Sequence, residues 1–184
     1  KIQNNIENIE FIKFAKISRV LPSTIVIEII ENEPNILAVF DEVKYFFDKD
    51  KTPLHANKKS INFFPVPIMS FHNEPFMGLE NSKLVNALEF VEKTNKIHSE
   101  FYKSLSEIIY YNDYLTLVTD GRTKIKLGNH NLDYKIKILK EFQKTIKNQK
   151  HLSDFSYIDL TIKDQIIVRE NNFSRKKLWV MIKK

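Results

Sequence analysis

The sequence predicts an α+β fold in which a short helix and a β-hairpin precede a mostly antiparallel sheet with two helices on one face. Three observations predict it. Runs of alternating apolar residues recur along the chain, two longer segments have apolar residues at helical spacing, and a proline interrupts the pattern at position 34. With 184 residues, 42% of them hydrophobic, the chain can bury a core in one domain or in two small ones.

The N-terminal part of the chain predicts a helix and then a hairpin. Residues 2–10 have isoleucines at helical spacing. Residues 14–20 and 24–30 alternate as strands do, and the turn between them contains a proline. Pro34 then breaks the pattern, because proline lacks the N–H that a strand ladder needs. We therefore expect a domain boundary near Pro34.

The next segment predicts two strands and then an irregular region. Residues 36–40 and 44–47 are apolar runs, and the polar residues 48–51 after them suit a hairpin turn. Four prolines fall between positions 52 and 78. We expect that region to be the least regular part of the chain.

Two amphipathic helices are predicted in the remainder. Leu84, Leu88 and Val91 recur at i, i+4 and i+7, which predicts a helix over residues 82–96. The second helix is predicted by a longer set of apolar residues at the same spacing: Leu132, Ile136, Leu139, Phe142 and Ile146.

Four further strands are predicted around these helices. Residues 114–119 and 123–127 flank Asp120-Gly121, a strong hairpin signal because Gly adopts positive φ without penalty. Residues 157–162 and 165–168 are the last two. The tail, 171–184, has an apolar stretch between basic residues, which favours an additional strand protected by lysines over an interaction tail.

Composition excludes several classes of protein. The chain has no cysteine, so disulfides, thiolate metal sites and cysteine nucleophiles are excluded. Its three glycines are not spaced as in a phosphate-binding loop or a dinucleotide fingerprint. No apolar run is long enough to span a bilayer. The helical pattern is already present at residue 2, after Lys1 rather than Met, and we expect a fragment of a longer protein.

Catalytic chemistry has weak support in the sequence. The five histidines are scattered, with no second ligand at metal-binding spacing. A glycosidase-like carboxylate pair stays open, with Glu28, Glu31 and Glu33 or Asp41 and Glu42 as clusters, because carboxylate separation depends on the fold. Serine has no nucleophile elbow. We therefore expect no enzyme activity, no catalytic residue, no metal and no cofactor, and an unrecognised hydrolase is the third hypothesis.

A basic nucleic-acid-binding module is the second hypothesis. The net charge is +6 and 12% of the residues are aromatic, which are the two ingredients of single-strand binding. The densest basic run comprises Lys137, Lys140, Lys144, Lys147 and Lys150. That run surrounds the end of a predicted helix, where cations also interact favourably with the helix dipole, so a solvated face is favoured over a phosphate groove.

The order of the motifs resembles the FtsQ/DivIB family of bacterial cell division proteins. Residues 11–29, with Arg19, Pro22, Glu31 and Pro34, resemble the second half of a POTRA module. The continuation resembles the family's β domain, and the matching pieces are Phe64-Pro65-Val66, Leu115-Thr116-Leu117, Ile125-Lys126-Leu127-Gly128, Lys135 with Leu139, and Tyr157-Ile158-Asp159-Leu160. Thr161 stands where the family commonly has Arg.

The resemblance implies three segments and a location. Residues 1–35 would be the C-terminal part of a POTRA module, 36–170 the β domain, and 171–184 a basic tail that forms an extra strand or stays an interaction segment. The family is anchored by one N-terminal transmembrane helix, with these domains on the extracytoplasmic side of the cytoplasmic membrane. That side is the periplasm in Gram-negative bacteria.

The resemblance also implies a non-enzymatic role as a divisome scaffold. The implied partners are coiled-coil proteins of FtsB and FtsL type, with no nucleic acid and no small-molecule substrate. The family's partner contact lies on the last strands of the β domain, and by position it maps here onto Thr161, Ile162, Lys163, Asp164, Gln165, Ile166, Ile167 and Val168. Its physical basis would be strand addition to an exposed sheet edge. If the tail folds back as a further strand, we expect docking on the tail's own free side.

Overall fold

The computed structural model describes residues 2–40, 43–72, 78, 82–111, 114–171 and 178–181. Over these residues the fold is α+β with a large mixed sheet and five α-helices. The chain divides into two compact units, residues 1–37 with 44–66 and residues 38–43 with 67–184. The three segments named from the family resemblance remain a prediction.

The first unit contains a helix, a hairpin and a second pair of strands. The elements are α1 (Ile2–Glu7), β1 (Ile12–Val20), β2 (Thr24–Glu31), most of β3 (Pro34–Phe40) and of β4 (Val43–Asp48), β5 (Pro53–His55) and α2 (Lys58–Phe63). The predicted helix and hairpin are therefore confirmed, although α1 ends at Glu7 rather than at residue 10. Strands β1 and β2 are antiparallel, with Arg19 opposite Ile25.

The turn at residues 48–51 joins β4 to β5, as expected. The Asp48 carboxylate accepts the backbone N–H groups of Asp50 and Thr52, each at 2.8 Å, and Phe46 pairs with Leu54 across the strands. The expectation that residues 52–78 are irregular is wrong in part. They contain β5, α2 and β6 (Ile68–His72), and α2 begins with a capping box at Asn57.

The second unit contains both long helices and seven strands that follow one another across the sheet. The elements after β6 are α3 (Ser82–Ile97), α4 (Ser99–Lys103), β7 (Leu105–Tyr111), β8 (Tyr114–Thr119), β9 (Lys124–Gly128), α5 (Leu132–Ile146), a 3₁₀ helix (Leu152–Asp154), β10 (Phe155–Asp159), β11 (Gln165–Glu170) and β12 (Leu178–Met181). The strand order is β6-β7-β8-β9-β10-β11-β12. Both predicted long helices are therefore confirmed.

The sheet is mixed because two of its neighbouring pairs are parallel. Strands β6 and β7 are parallel, as are β9 and β10, whereas the other four neighbouring pairs from β7 to β12 are antiparallel. A parallel pair needs a crossover connection, and here α3 with α4 supplies one and α5 the other. The two predicted helices therefore determine where the sheet departs from the antiparallel pattern.

The core of this unit joins the centre of the sheet to the helices. Leu117, Ile125 and Leu127 are fully buried on β8 and β9. Helix α5 buries Ile136, Leu139 and Phe142, and α3 buries five apolar residues from Leu84 to Val91. Helices α3 and α5 are also joined by a hydrogen bond, which Lys140 Nζ donates to the carbonyl oxygen of Ile97 at 2.7 Å. His98 also contacts Gln143.

The β8–β9 hairpin forms where Asp120-Gly121 predicts it, but with a different turn. The residue with positive φ is Arg122, at 63°, and not Gly121. Gly121 is needed for a close approach instead. A Cβ on this residue would lie 2.8 Å from the Cβ of Ser153 in the 3₁₀ helix.

Candidate functional site

The predicted docking residues fall in two different structural settings. The docking residues 161–168 do not form one strand, because β11 begins at Gln165, as predicted, and runs to Glu170. Strand β10 ends at Asp159 rather than at residue 162. Residues 161–164 form the exposed turn between the two strands, with Asp164 in the left-handed region at φ 58°. The turn forms because the Asp159 carboxylate binds Thr161, which replaces strand pairing there.

Strand β11 lies beside β12, which is the last strand of the described sheet. It pairs with β10 on one side, where Val168 lies opposite Ile158. It pairs with β12 on the other, where Ile166 lies opposite Val180. The expected extra strand in the tail is therefore present as Leu178–Met181. The tail residues 172–177 and 182–184 lie outside the described residues.

The side chains of β11 do not form an exposed apolar face. Ile166 and Val168 are buried, with exposed fractions of 1% and 2%, and belong to the core. Gln165 and Ile167 are half-buried, whereas Ile162 is exposed and lies in the turn. Docking by strand addition would therefore use backbone groups of β12 and not the buried side chains of β11.

A groove of about 600 Å³ opens at the end of the sheet where β11 begins. Five predicted docking residues, 161–165, line one side of it. The opposite side is formed by the end of β9 and the first turn of α5, including Lys126, Lys135 and the exposed Tyr134. The groove brings together residues that are up to 51 positions apart, from Tyr114 to Gln165.

Asp159 is the centre of the hydrogen bonds in this groove. Its Oδ1 atom accepts the backbone N–H of Thr161 at 2.8 Å and the Thr161 hydroxyl at 2.6 Å. Its Oδ2 atom accepts the Tyr157 hydroxyl at 2.5 Å. Lys126 lies opposite Asp159 across the β9–β10 pair, and its Nζ atom is 5.2 Å from the centre of the Tyr157 ring. Lys135 extends from α5 to donate to the carbonyl oxygen of Leu127.

These contacts change the ionisation of three groups. Burial alone would raise the pKa of Asp159, but the hydrogen bonds from Thr161 and Tyr157 and the charge of Lys126 lower it below its ordinary value. Burial, and then the bond to Asp159, raises the pKa of Tyr157 to about 12. Burial lowers the pKa of Lys135, which the Asp159 charge opposes. At neutral pH the Asp159 carboxyl group is therefore ionised and the Tyr157 phenol is neutral.

The geometry favours a structural role for Asp159 over acid–base chemistry. A general acid needs a raised carboxyl pKa, whereas that of Asp159 is lowered and both its oxygens already accept hydrogen bonds. The other candidate carboxylates lie outside this groove's lining. Asp41 and Glu42 lie outside the described residues, and Glu28, Glu31 and Glu33 are exposed on or just after β2. No cluster of three or more metal-ligating side chains occurs among the residues that the structure describes.

A second groove, of about 580 Å³, contains four lysines of the basic run in and after α5. Lysines from three parts of the unit line it: Lys96, Lys140, Lys144, Lys147 and Lys150. Three of them are paired with carboxylates, Lys96 with Glu92 at 2.5 Å, Lys144 with Glu141 at 2.8 Å, and Lys150 with Glu170. The positive charge of this groove is therefore partly neutralised within the protein.

The sequence did not identify Asp159, Tyr157, Lys126 and Lys135 as one site. A local signal was present for part of it, because an Asp two residues before a Thr is typical of a side-chain-capped turn. The rest required the register of the parallel β9–β10 pair, which places Lys126 opposite Asp159.

Two further findings concern membranes and relatives. Within the described part of the chain, the helices are all too short or too polar to cross a bilayer. A scan against protein-family models finds no family that matches this chain, and a search of curated proteins finds no significant relative.

Proposed function

We propose that this chain is the extracytoplasmic part of a bacterial divisome scaffold of the FtsQ/DivIB type. In this proposal a single transmembrane helix, encoded outside these 184 residues, anchors the protein in the cytoplasmic membrane. The protein binds FtsB- and FtsL-type coiled-coil partners and carries out no chemical reaction. It needs no cofactor, nucleic acid or small-molecule substrate.

The observation that carries the proposal is the position of β12. It is the last strand in the order of the described sheet and pairs only with β11 there. Among the described residues no strand pairs with the backbone N–H and C=O groups on its other side, and in this proposal an added strand binds them. Strand addition of this kind obtains affinity from main-chain hydrogen bonds and specificity from alternate side chains.

The order of elements supports the same proposal. A helix and hairpin with Arg19 and Pro22 precede the sheet, and α5 with Lys135 and Leu139 precedes β10, in the order in which the family's motifs resemble this sequence. We assign 1–35 to a partial POTRA module and 36–170 to the β domain on that resemblance. Because the tail pairs with β11 as β12, we place docking on the free side of β12, as expected for a tail that folds back.

Proline substitutions in β12 test the proposal. Along a strand, successive N–H groups point to opposite edges, so Trp179→Pro and Val180→Pro remove one N–H facing β11 and one facing outward. Both residues belong to the described β12 backbone. One of the two variants should lose binding while the β11–β12 pairing persists, because it lacks an outward donor. The measurement is a pull-down of the membrane-external segment of the FtsB-type protein from the same organism, with circular dichroism to verify folding.

The control is Lys49→Pro, which places a proline in the β4–β5 turn, far along the chain from β12. The residue before it, Asp48, is in extended conformation as a preceding residue should be. This variant should retain the partner fully. Equal recovery by wild type and both β12 variants, all folded, would contradict docking at this strand. Failure of the wild type to recover any partner would contradict the scaffold role itself.

Nucleic-acid binding is the second candidate, and the lysine-lined groove is the observation that favours it. Phosphate binding by its lysines would give an affinity that falls steeply with salt. Titration of an arbitrary single-stranded oligonucleotide at two salt concentrations measures this directly. Charge reversal by Lys147→Glu should weaken such binding and leave the partner pull-down unchanged.

A further inference from the structure

The short connection from β10 to β11 determines where the last two strands begin. Only residues 160–164 separate the strands. Leu160 is buried and its N–H donates to the carbonyl oxygen of Lys126 at 2.9 Å, which continues the β9–β10 pair by one residue. The next four residues are exposed. Any displacement of this turn would shift β11, and therefore also the strand that pairs with it.

Thr161 is held from two sides. Its backbone N–H and its hydroxyl both bind Oδ1 of Asp159. Its methyl group packs over Gly128 at the end of β9, 3.5 Å from the position that a Cβ there would occupy. Gly128 itself has φ 74°, a conformation that favours glycine. The first residue of the turn is therefore fixed against β9 by a small contact surface and by one carboxylate.

Asp159 is fixed in turn by its surroundings. Tyr157 donates to the second carboxylate oxygen, so the side chain cannot rotate without losing hydrogen bonds on both sides. Tyr157 of β10 contacts it directly. The other titratable and charged groups around it line the groove and come from each neighbouring element: Tyr114 from β8, Lys126 from β9, Tyr134 and Lys135 from α5, and His130, Lys163 and Asp164 from the connecting segments.

We propose that Asp159 is the positioning residue of the docking edge, because its carboxylate fixes the β10–β11 turn and with it the register of β11 and β12. A slip of one residue in β11 would exchange its buried and exposed side chains, so this register needs a fixed starting point. Ile166 and Val168 are the side chains that would leave the core. The link to partner binding rests on the proposed function, whereas the effect on the strands does not.

Amide hydrogen exchange of Gln165–Val168 and Leu178–Met181 tests the positioning role. Asp159→Ala should accelerate exchange of these amides by about tenfold or more, because local opening of the sheet end becomes easier. Asp159→Asn should restore most of the protection, since its amide oxygen still accepts from Thr161 and its shape is the same. Thr161→Val keeps the backbone hydrogen bond and loses the hydroxyl. Its exchange rates should lie between those of the two Asp159 variants.

Two controls separate positioning from general destabilisation. Asp133→Ala removes an exposed carboxylate that lies 3.7 Å from Lys93 at the start of α5, and should leave exchange at β11 and β12 unchanged. Amides of β8 in the centre of the sheet should keep their protection in every variant. Equal exchange rates at Gln165–Val168 in wild type and Asp159→Ala would overturn the proposal, as would equal loss of protection in β8.

A pH profile supplies a second, independent measurement. The folded pKa of Asp159 is lowered from 3.8, so its contribution is complete above about pH 3.8 and is lost as the pH falls through the folded value. Protection factors of Gln165–Val168 should therefore fall in that acidic range in wild type. Asp159→Asn has no such carboxylate and should show a flatter profile. Parallel profiles for the two proteins would contradict the assignment.

Partner binding distinguishes this proposal from the function on which it rests. If wild type binds the FtsB-type segment, Asp159→Ala should bind about tenfold more weakly and Asp159→Asn should recover most of that loss. If wild type does not bind while Asp159→Ala still loses protection at β11, the scaffold function fails and the positioning role is supported. Retained protection in Asp159→Ala overturns the positioning role whether or not wild type binds.

Discussion

Gly121 lies directly against Ser153, so that a Cβ added to the glycine would be 2.8 Å from the Cβ of the serine. The contact joins the β8–β9 turn to the 3₁₀ helix that leads into β10. Thr123 strengthens the same junction, because its hydroxyl donates to the carbonyl oxygen of Leu152 at 2.7 Å. The turn between two antiparallel strands thus also positions the strand that follows the crossover.

Gly121→Ala should lower the free energy of unfolding by about 1–3 kcal/mol, because the added methyl overpacks this contact. The measurement is urea unfolding followed by circular dichroism. The same change in a Ser153→Gly background should cost less, since the nearest atom is then absent. An equal cost in both backgrounds would mean that the contact with Ser153 is not responsible.

Thr123→Val should destabilise the protein by about 1–3 kcal/mol, because the buried carbonyl oxygen of Leu152 loses its donor. Thr94→Val is the matched control. Thr94 is equally buried, but its hydroxyl has no hydrogen-bond partner among the described residues, so removal should be neutral or stabilising. Chemical denaturation of both variants checks the pair, and equal losses would contradict the assignment of the Thr123 bond.

Two tyrosines should ionise only at unusually high pH. Burial raises the pKa of Tyr102 to about 12, and burial together with Asp159 does the same for Tyr157. Because these folded values lie above the ordinary value of 10, stability should be complete below pH 10 and decrease as the pH rises toward 12. Ultraviolet titration of phenolate absorbance checks this. Tyr157→Phe should remove one of the phenols that ionise near pH 12. An unchanged absorbance step at that pH would contradict the Tyr157 assignment.

Ile166→Pro should disrupt the sheet end and abolish partner recovery. The residue is buried in β11, a strand paired on both sides, so proline removes a ladder N–H and a core side chain together. The helices α3 and α5 should remain packed, which near-unchanged helical circular dichroism would show. Full recovery of the FtsB-type segment by this variant would exclude docking at this end of the sheet.

Local periodicity predicted the elements whose residues carry their own pattern. Leu84, Leu88 and Val91 identified α3, and the apolar series from Leu132 to Ile146 identified α5 with the observed bounds. The hairpins around residues 21–23 and 120–121 were also found, since turn residues stand between alternating runs. These predictions needed no long-range contact.

Elements that depend on distant partners were missed. Strand β7 has the sequence Leu-Ser-Glu-Ile-Ile-Tyr-Tyr, with no clean alternation, and is stabilised by pairing with both β6 and β8. Strand β6 lies in the proline-rich segment for which the sequence predicts little regular structure. The strand predicted over residues 157–162 was extended too far, because the bonds between Asp159 and Thr161 make a turn where the residue types permit a strand. The groove around Asp159 was also missed, because its residues come together only through the register of the parallel β9–β10 pair.

The parallel pairing of β9 with β10 also sets the order in which the sheet can assemble. Strands β7, β8 and β9 are consecutive in the chain, so short loops close them into antiparallel pairs. Strand β10 must instead wait for residues 129–154 to fold back over the sheet, and closing a longer segment costs more entropy. During synthesis from the N-terminus, the β7–β9 template is therefore complete before the last three strands leave the ribosome. Of the described strands β6–β12, those at the edge that we propose for partner binding are therefore the last to form.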